Sequence, residues 1–492
     1  MFAVRRALLL STGERYFALV SNFLTVAIVS RILTPEEIGV SVIGMAVIGM
    51  TMALREFASA SFLFQQQSLT EEAVRGAFTI MLCLTAVISG ALAASAPWIA
   101  AAYGEDRLVP YLEVISVSLL VEVVAIPILT LWLRDMAFGK LAVVRLSGAA
   151  TASLVTVILA LAGFSYMSFA WAWLCSALVT GGMAIALRGD LRLYRPSLTH
   201  WRAMLTFGGY NGGTAFLYKI YEALPYLLLG RILSLDAAAI YSRSLMICQL
   251  PDKILLGGIT AVVLPAFSSE ARQGRNLRDP YLNALSFITA LQWPALVMLA
   301  ILAYPVVDIL LGNQWTAVAP LVQIIALASL FSFSFELNYP VLVSLGAVRD
   351  VFLRALIVFP IAAAIIAVAT FFGLDAVAWS LMLVIPLQAL VALHFVRRHL
   401  PIGWGDIVGA IWRSAAVVGF TAAGPLVLVA ASEGGFDLSI DRALATVPLA
   451  ALGWLCGLRI TGHPFLAEMI RTLSDIRSGT LGGGTVDTNV AL

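Results

Sequence analysis

The chain has 492 residues, of which 61% are hydrophobic and only 12% charged. Soluble domains carry about 25% charged residues, so this chain lacks the polar surface to cover itself in water. A net charge of +2 gives no footprint for nucleic acid, and lipid is left as the solvent. In lipid the backbone must satisfy its own hydrogen bonds, which leaves helices or a closed barrel. Barrel strands alternate apolar and polar residues over roughly ten positions, whereas the apolar runs here are continuous and about twice as long.

In chain order the runs place spans near residues 16–32, 38–54, 77–101, 111–132, 141–161 and 168–187. Six more follow at 204–229, 239–267, 284–311, 319–345, 351–372 and 376–396, and two at 408–431 and 443–457. The expectation is an all-α multipass membrane protein of about fourteen transmembrane helices. The basic stretch Met1 to Arg6 leads into a run that holds Glu14 and Arg15 and has no small-residue cleavage site, so no removable signal peptide is expected. Cys83, Cys175, Cys248 and Cys456 fall inside apolar runs without paired or metal-ligand spacing and read as buried thiols.

The connections test this reading. With the N-terminus cytoplasmic, Arg5, Arg6, Arg55, Arg75, Arg134, Lys140, Arg145, Arg188, Arg192, Arg195 and Arg202 fall on one side, joined by the groups around Arg275, Arg349, Arg398 and Arg471. The other side holds Arg31, Arg107, Arg231 and Arg442, a ratio of roughly five to one. Both termini are therefore expected in the cytoplasm of a cell with a plasma membrane of bacterial inner-membrane type. The outside connections are short turns such as Gly312-Asn313-Gln314-Trp315, which leaves no room for an extracytoplasmic catalytic domain. The tail ends in Gly482-Gly483-Gly484 and reads as a flexible cytoplasmic end.

Arg31-Ile32-Leu33-Thr34 after the first span is echoed by Arg231-Ile232-Leu233-Ser234 after the seventh. Lys140 and Arg145 after the fourth correspond more weakly to Arg349 and Arg354 after the tenth. Six being even, the two halves would insert with the same orientation, as parallel repeats with a cavity between them. The expected division is an N-lobe over 1–202, a C-lobe over 203–400, two further helices over 401–460 and a cytoplasmic tail over 461–492.

Ionisable groups inside spans are costly and mark candidate sites. On the first span Ser11, Arg15 and Asn22 share a face, with Glu14 beside it; alternatively Glu14 and Arg15 snorkel at the interface. On the seventh, Asn211, Tyr218, Glu222 and Tyr226 form a stripe flanked by Lys219 and Tyr221. Lys219 and Glu222 either neutralise one another or face a lumen together. Tyrosines beside a cation suit sugars, whose apolar faces stack on aromatic rings. The eighth span carries Arg243, Gln249, Asp252 and Lys253 around Pro251, which predicts a bent helix lining a cavity. Glu122, Asp308 and Glu336 are further intramembrane candidates. Arg15, Arg55, Lys219, Arg243 and Lys253 bias such a cavity towards a phosphate or diphosphate. Glu222, Asp252 and Glu336 are candidates for proton or ion coupling. There is no Gly-x-x-x-x-Gly-Lys loop, and His200, His394, His399 and His463 lie at or beyond span ends; neither a nucleotide, a metal nor another cofactor is expected.

The stretch Arg31-Ile32-Leu33-Thr34-Pro35-Glu36-Glu37-Ile38-Gly39, its echo from Arg231, Arg134-Asp135-Met136-Ala137-Phe138, and Pro251-Asp252-Lys253 with Pro265 carry a resemblance. Over roughly residues 1–460 the chain resembles the polysaccharide transporter branch of the multidrug/oligosaccharidyl-lipid/polysaccharide flippase superfamily. The resemblance implies six plus six helices with two packed outside. It further implies a polyprenyl-diphosphate-linked oligosaccharide carried across the membrane by alternating access, for exopolysaccharide, O-antigen or capsule synthesis. Arg15 is the positional counterpart of a diphosphate-contacting cation in relatives, and a polysaccharide polymerase or co-polymerase is a conceivable partner. The alternatives are a carrier of drugs or peptidoglycan precursors from the same superfamily, or a membrane polymerase or ligase. The cation excess weighs against a drug carrier and the missing periplasmic loop against a polymerase or ligase.

Overall fold

The structure is a computed structural model describing residues 2–55, 70–189, 192–197, 201–432 and 434–478. Side chains are described for these except at 2–12, 201–215, 258–262, 348, 472, 473 and 475–478. Every regular element among the described residues is helical. The first unit is built from α1 (Phe2–Ile32), α2 (Pro35–Arg55), α3 (Glu71–Tyr103), α4 (Leu108–Glu122), α5 (Ile126–Arg134), α6 (Phe138–Leu161), α7 (Met167–Arg188) and α8 (Trp201–Ile232). Next come α9 (Leu235–Cys248), a π-helical turn (Asp252–Leu256), α10 (Gly257–Arg272), α11 (Arg278–Ile301), α12 (Ala303–Leu311) and α13 (Val318–Ala328). A 3-10 stretch (Ser329–Ser334) leads into α14 (Phe335–Ser344), α15 (Val348–Thr370), α16 (Leu374–Arg397), α17 (Trp404–Ala430), α18 (Ile440–Ile460) and α19 (Pro464–Ser478).

Ten of these helices and the run Val318–Ser344 through α13 and α14, eleven spans in all or twelve if α4 and α5 form one bent span, are long and apolar enough among the described residues to cross a membrane. The protein is thus a multipass helical membrane protein. The segment expected at 461–492 begins with α19, a helix with one apolar and one charged face, and its last residues from 479 lie outside the described ones.

Contacts divide the chain into two compact units, Met1–Ser242 and Arg243–Leu492, with the division inside α9. In the first, α1 lies on α6, where Ser21 donates to Ser153 at 2.8 Å, and α6 lies on α7. Small residues permit that approach: the Ser176 hydroxyl donates to the Gly148 carbonyl at 2.9 Å. By packing, α8 belongs to this unit; it lies against α2 and α3, and Tyr103 of α3 donates to the Leu227 carbonyl at 3.1 Å. In the second unit α11 is the central helix, packed on α13 and α17. Thr289 donates to Ser414 at 2.8 Å and the Trp454 indole to the Ala290 carbonyl at 2.9 Å.

The Arg31-to-Gly39 motif explains itself locally. Thr34 caps α2: its hydroxyl accepts the Glu37 N–H at 3.3 Å, and the Glu37 carboxylate accepts the Thr34 N–H at 2.8 Å. Pro35 occupies the first helical position, where its missing N–H costs nothing. Its echo caps α9 in the same way, Ser234 accepting the Ala237 N–H at 3.1 Å. Gly39 has no side chain because a Cβ there would stand 2.3 Å from the Leu235 carbonyl oxygen.

Four expected continuous helices are interrupted: the ninth, expected over 284–311, by a turn at Leu302 between α11 and α12, and three others for a recognisable local reason. The fourth is bent by 43° between α4 and α5, where Pro127 cannot donate to the Val123 carbonyl and crowds it. The eighth is broken at Pro251 into the π-helical turn, in agreement with the bend expected there. The tenth, expected as one run over 319–345, relaxes to 3-10 where serines compete for the backbone: Ser329 donates to the Ile325 carbonyl at 2.7 Å and Ser332 to that of Ser329 at 2.7 Å.

Candidate functional site

In the first unit the intramembrane charges pair. The Arg55 guanidinium, at the end of α2, donates to Glu122 of α4 at 3.3 Å. Glu122 is the residue at which α4 stops before the bend, so the break places the carboxylate opposite α2. Arg55 Nη1 and Glu122 Oε2 are buried without a partner, so the pair is not saturated. On α1, Glu14 turns towards Arg145 of α6 at 3.5 Å, while Arg15 and Asn22 are exposed.

On α8 the Lys219 ammonium donates to Glu222 at 2.5 Å and lies 5.8 Å from the Tyr218 ring, with Tyr218 and Glu222 exposed and Tyr221 half-buried. The helical spacing of three brings the ion pair together, as the sequence implies. Asn211 lies on α8, and its side chain is outside the described residues, as is that of Ser11 on α1. Tyr226, the fourth member of the expected stripe, packs edge-on against Tyr241 with ring centres 5.8 Å apart. Phe216 and Ile220, flanking Lys219, line an apolar groove of about 570 Å³ with Met50 and Leu54 of α2 and Val87 and Ser95 of α3.

The second unit holds Arg243, Asp252, Lys253 and Glu336. Arg243 is 7% exposed, its guanidinium 5.7 Å from the ring of the fully buried Trp315. Lys253 is exposed in the π-helical turn, and its neighbour Asp252 points inward, where the Gln292 amide of α11 donates to it at 2.7 Å. The same amide donates to Ser332 in the 3-10 stretch at 3.0 Å, and the Trp293 indole to the Leu330 carbonyl at 2.6 Å. Two irregular helical segments therefore meet over one glutamine. Glu336 is half-buried on α14. Sequence reasoning missed Gln292 and Asn338, each 1% exposed; the available signal was an amide side chain inside an apolar run, in the first case next to Trp293-Pro294.

Outside the spans, Glu105 is held below its ordinary pKa by its hydrogen bond from Arg107 at 2.6 Å, despite partial burial, and Arg107, which also pairs with Glu36, is raised in turn. His463, between α18 and α19, is 2% exposed. Its Nε2 lies 3.1 Å from Ser414 Oγ and 3.3 Å from Ser286 Oγ, and its Nδ1 accepts the Phe465 N–H at 3.2 Å. Burial, with the Arg413 charge added, lowers its pKa to about 4, so the ring is a neutral structural tie. No group of three or more metal-ligating side chains occurs among the described residues. Cys83 and Cys456 are exposed, at variance with the expectation of buried thiols; in an apolar helix that spans a membrane an exposed thiol needs no protein cover.

Solved structures share this fold. The lipid II flippase MurJ in its inward closed conformation superposes with a TM-score of 0.73 at 12% identity, over 94% of this chain and 99% of that one. An inward-facing multidrug resistance MATE family transporter of the MOP superfamily gives 0.61 at 12% identity, over 78% of this chain and 94% of that one. The fold is that of the MOP-superfamily flippases.

Within it, the sequence model of the polysaccharide biosynthesis protein family matches residues 28–320, and the chain belongs to that family. It is 25% identical over 307 residues to the succinoglycan biosynthesis transport protein ExoT of Rhizobium meliloti (strain 1021). It is 21% identical over 309 residues to the lipopolysaccharide biosynthesis protein WzxC of Escherichia coli (strain K12). Each match spans 62% of this chain and 62% of the relative, so both likenesses cover just under two thirds of the curated proteins.

Proposed function

We propose that the protein is a flippase that carries a polyprenyl-diphosphate-linked oligosaccharide repeat unit across the bacterial inner membrane by alternating access. The observation that carries this reading is the family match over residues 28–320, together with relatives named for succinoglycan transport and lipopolysaccharide biosynthesis. In this reading the chain crosses the membrane fourteen times, with both termini cytoplasmic, as two six-helix lobes plus α17 and α18. A polysaccharide polymerase downstream would use the product.

The chemistry of the site supports such a cargo. Arg15, Arg55, Lys219, Arg243 and Lys253 supply cations for the diphosphate, arginine through a fork that fits two phosphate oxygens. Asn22, Asn211, Tyr218 and Tyr221 supply hydrogen bonds and ring faces for the sugars. The groove beside Phe216 and Ile220 suits an isoprenoid chain. Glu222, Asp252 and Glu336 are the carboxylates available to couple transport to an ion gradient.

Lipid extracts of cells lacking the protein test this directly. Accumulated polyprenyl-diphosphate oligosaccharide with loss of surface polysaccharide is the expected outcome, and unchanged surface polysaccharide without that intermediate overturns it. The site assignment has its own test: the triple substitution Arg15→Ala, Lys219→Ala, Arg243→Ala is expected to abolish complementation while protein remains in the membrane. Undiminished complementation refutes the cationic site and leaves the cargo standing.

A further inference from the structure

A second cationic site lies in the first unit, apart from the candidate transport residues. Thr70 caps α3, its hydroxyl accepting the Ala73 N–H at 3.2 Å, and Arg75 stands one turn further on. Arg188 is the last residue of α7, where Gly189 turns the chain with φ +71. The returning segment is pinned over α3. Leu193 is buried with Val74 and Leu131, Tyr194 packs edge-on against Phe78 with ring centres 4.9 Å apart, and its hydroxyl donates to the Val124 carbonyl at 3.0 Å. The Ser197 N–H donates to Thr79 at 3.0 Å.

This folding-back encloses a cavity of about 150 Å³ lined by Thr70, Glu71, Arg75, Arg188, Arg192 and neighbouring apolar side chains. Three arginines line it with one carboxylate residue, Glu71, which pairs with Arg75 at 2.9 Å. The Nε atoms of Arg75 and Arg188 are buried and donate to nothing in the structure. Buried donors on a cation are costly to leave unmet, and an anion entering the cavity would meet those of Arg75 and Arg188. The start of α3 adds its partial positive charge to the same space. An arginine excess on this side of the membrane is ordinary, but exposed arginines would keep their Nε atoms in water. Here packing takes them out of it.

We propose that this cavity is a phosphate-binding site, formed by Arg75, Arg188 and Arg192, which takes a phosphate monoester or diphosphate group. The volume admits one such group and no oligosaccharide. The group comes either from the headgroup of an anionic lipid, held where the segment after α7 meets the bilayer surface, or from a soluble phosphate. The site stands apart from the transport site and does not depend on the cargo assigned there.

Binding of inorganic pyrophosphate and of dioctanoyl phosphatidic acid to the purified full chain, in detergent and phosphate-free buffer, tests the proposal by native mass spectrometry and titration calorimetry. Saturable one-to-one binding of at least one probe is expected, weakened tenfold or more by Arg75→Gln and by Arg188→Gln and unaltered by Arg145→Gln elsewhere in the unit. Phosphatidic acid alone binding identifies a lipid headgroup; pyrophosphate binding as well identifies recognition of the phosphate itself. Glu71→Gln removes the competing carboxylate and is expected to tighten binding severalfold, a gain that misfolding cannot imitate. Absence of saturable binding by both probes, affinity unchanged in Arg188→Gln, or Glu71→Gln failing to tighten it overturns the site. None of these readouts requires transport, so their failure leaves the flippase reading untouched.

Discussion

Arg55 and Glu122 illustrate how a membrane protein keeps charge at depth. The pair is 13% and 28% exposed at the side chains, so each charge is largely desolvated and depends on the other. Removing one partner strands its counterpart, whereas removing both discards the problem. Arg55→Ala is therefore expected to destabilise by about 3 kcal/mol, and Arg55→Ala with Glu122→Ala by clearly less. Thermal unfolding in detergent compares them; equal losses would show that the pair contributes through packing alone. Neither residue reveals its partner in the sequence, since 67 positions separate them. Lys219 and Glu222 do, because helical spacing alone brings them together.

His463 gives a pH dependence whose sign follows from its lowered pKa of about 4. The unfolded ring titrates near 6.5, so the folded state binds the proton less readily than the unfolded one. The stabilising contribution is complete above about pH 6.5 and is lost progressively as pH falls towards 4. Between pH 7 and 5 the loss is expected to be at most about 2 kcal/mol. The melting temperature of the wild-type chain should fall with acidification over that range more than that of His463→Gln. Parallel curves would mean that the ring is not the neutral tie between α18, α19, Ser286 and Ser414.

Among the helices, the turns decide as much as the spans. The Thr34 and Glu37 capping box and the Ser234 cap repeat one device at the ends of α1 and α8, and Gly39 lets α2 approach the start of α9. A methyl group at Gly39 would fall 2.3 Å from a backbone oxygen, which no rotamer change relieves. Gly39→Ala is expected to cost about 1–3 kcal/mol through backbone displacement, against less than about 0.5 for Gly49→Ala, where no atom lies within 4 Å. Equal melting temperatures for the two variants would refute the close contact. The motif's composition was legible as a turn, but the reason for its glycine was not, because Leu235 arrives from 196 positions away. The interruption at Pro251 could be read from proline chemistry, whereas the 3-10 stretch at Ser329–Ser334 could not, since serine is compatible with a regular helix until a neighbour such as Trp293 takes the freed carbonyl.

For the molecule as a whole, the topology is the prediction with most consequence. If both termini are cytoplasmic, a reporter active only in the cytoplasm should be active when fused after Arg188 or Arg398 and silent after Asp106 or Asp375. The reverse pattern at any of these four positions would shift the later connections, and at Arg188 it would move the cationic cavity to the other side.

Composition and run length determined on their own that this is a helical multipass membrane protein, because burial of the backbone in lipid is a local requirement met within each segment, but not where the helices at 111–132, 239–267, 284–311 and 319–345 break. The capping turns at Thr34 and Ser234 are equally local and were legible as turns. Which charges meet was decided by tertiary structure. Asp252 is bound by Gln292 rather than by Lys253, Glu14 by Arg145 rather than Arg15's neighbours on its own face, and Arg243 is enclosed with Trp315. The physical reason is the same in each case. A helix dictates its own hydrogen bonds and the spacing of its faces, but the partner of a face is set by which other helix packs against it, and that information is distributed over the whole chain.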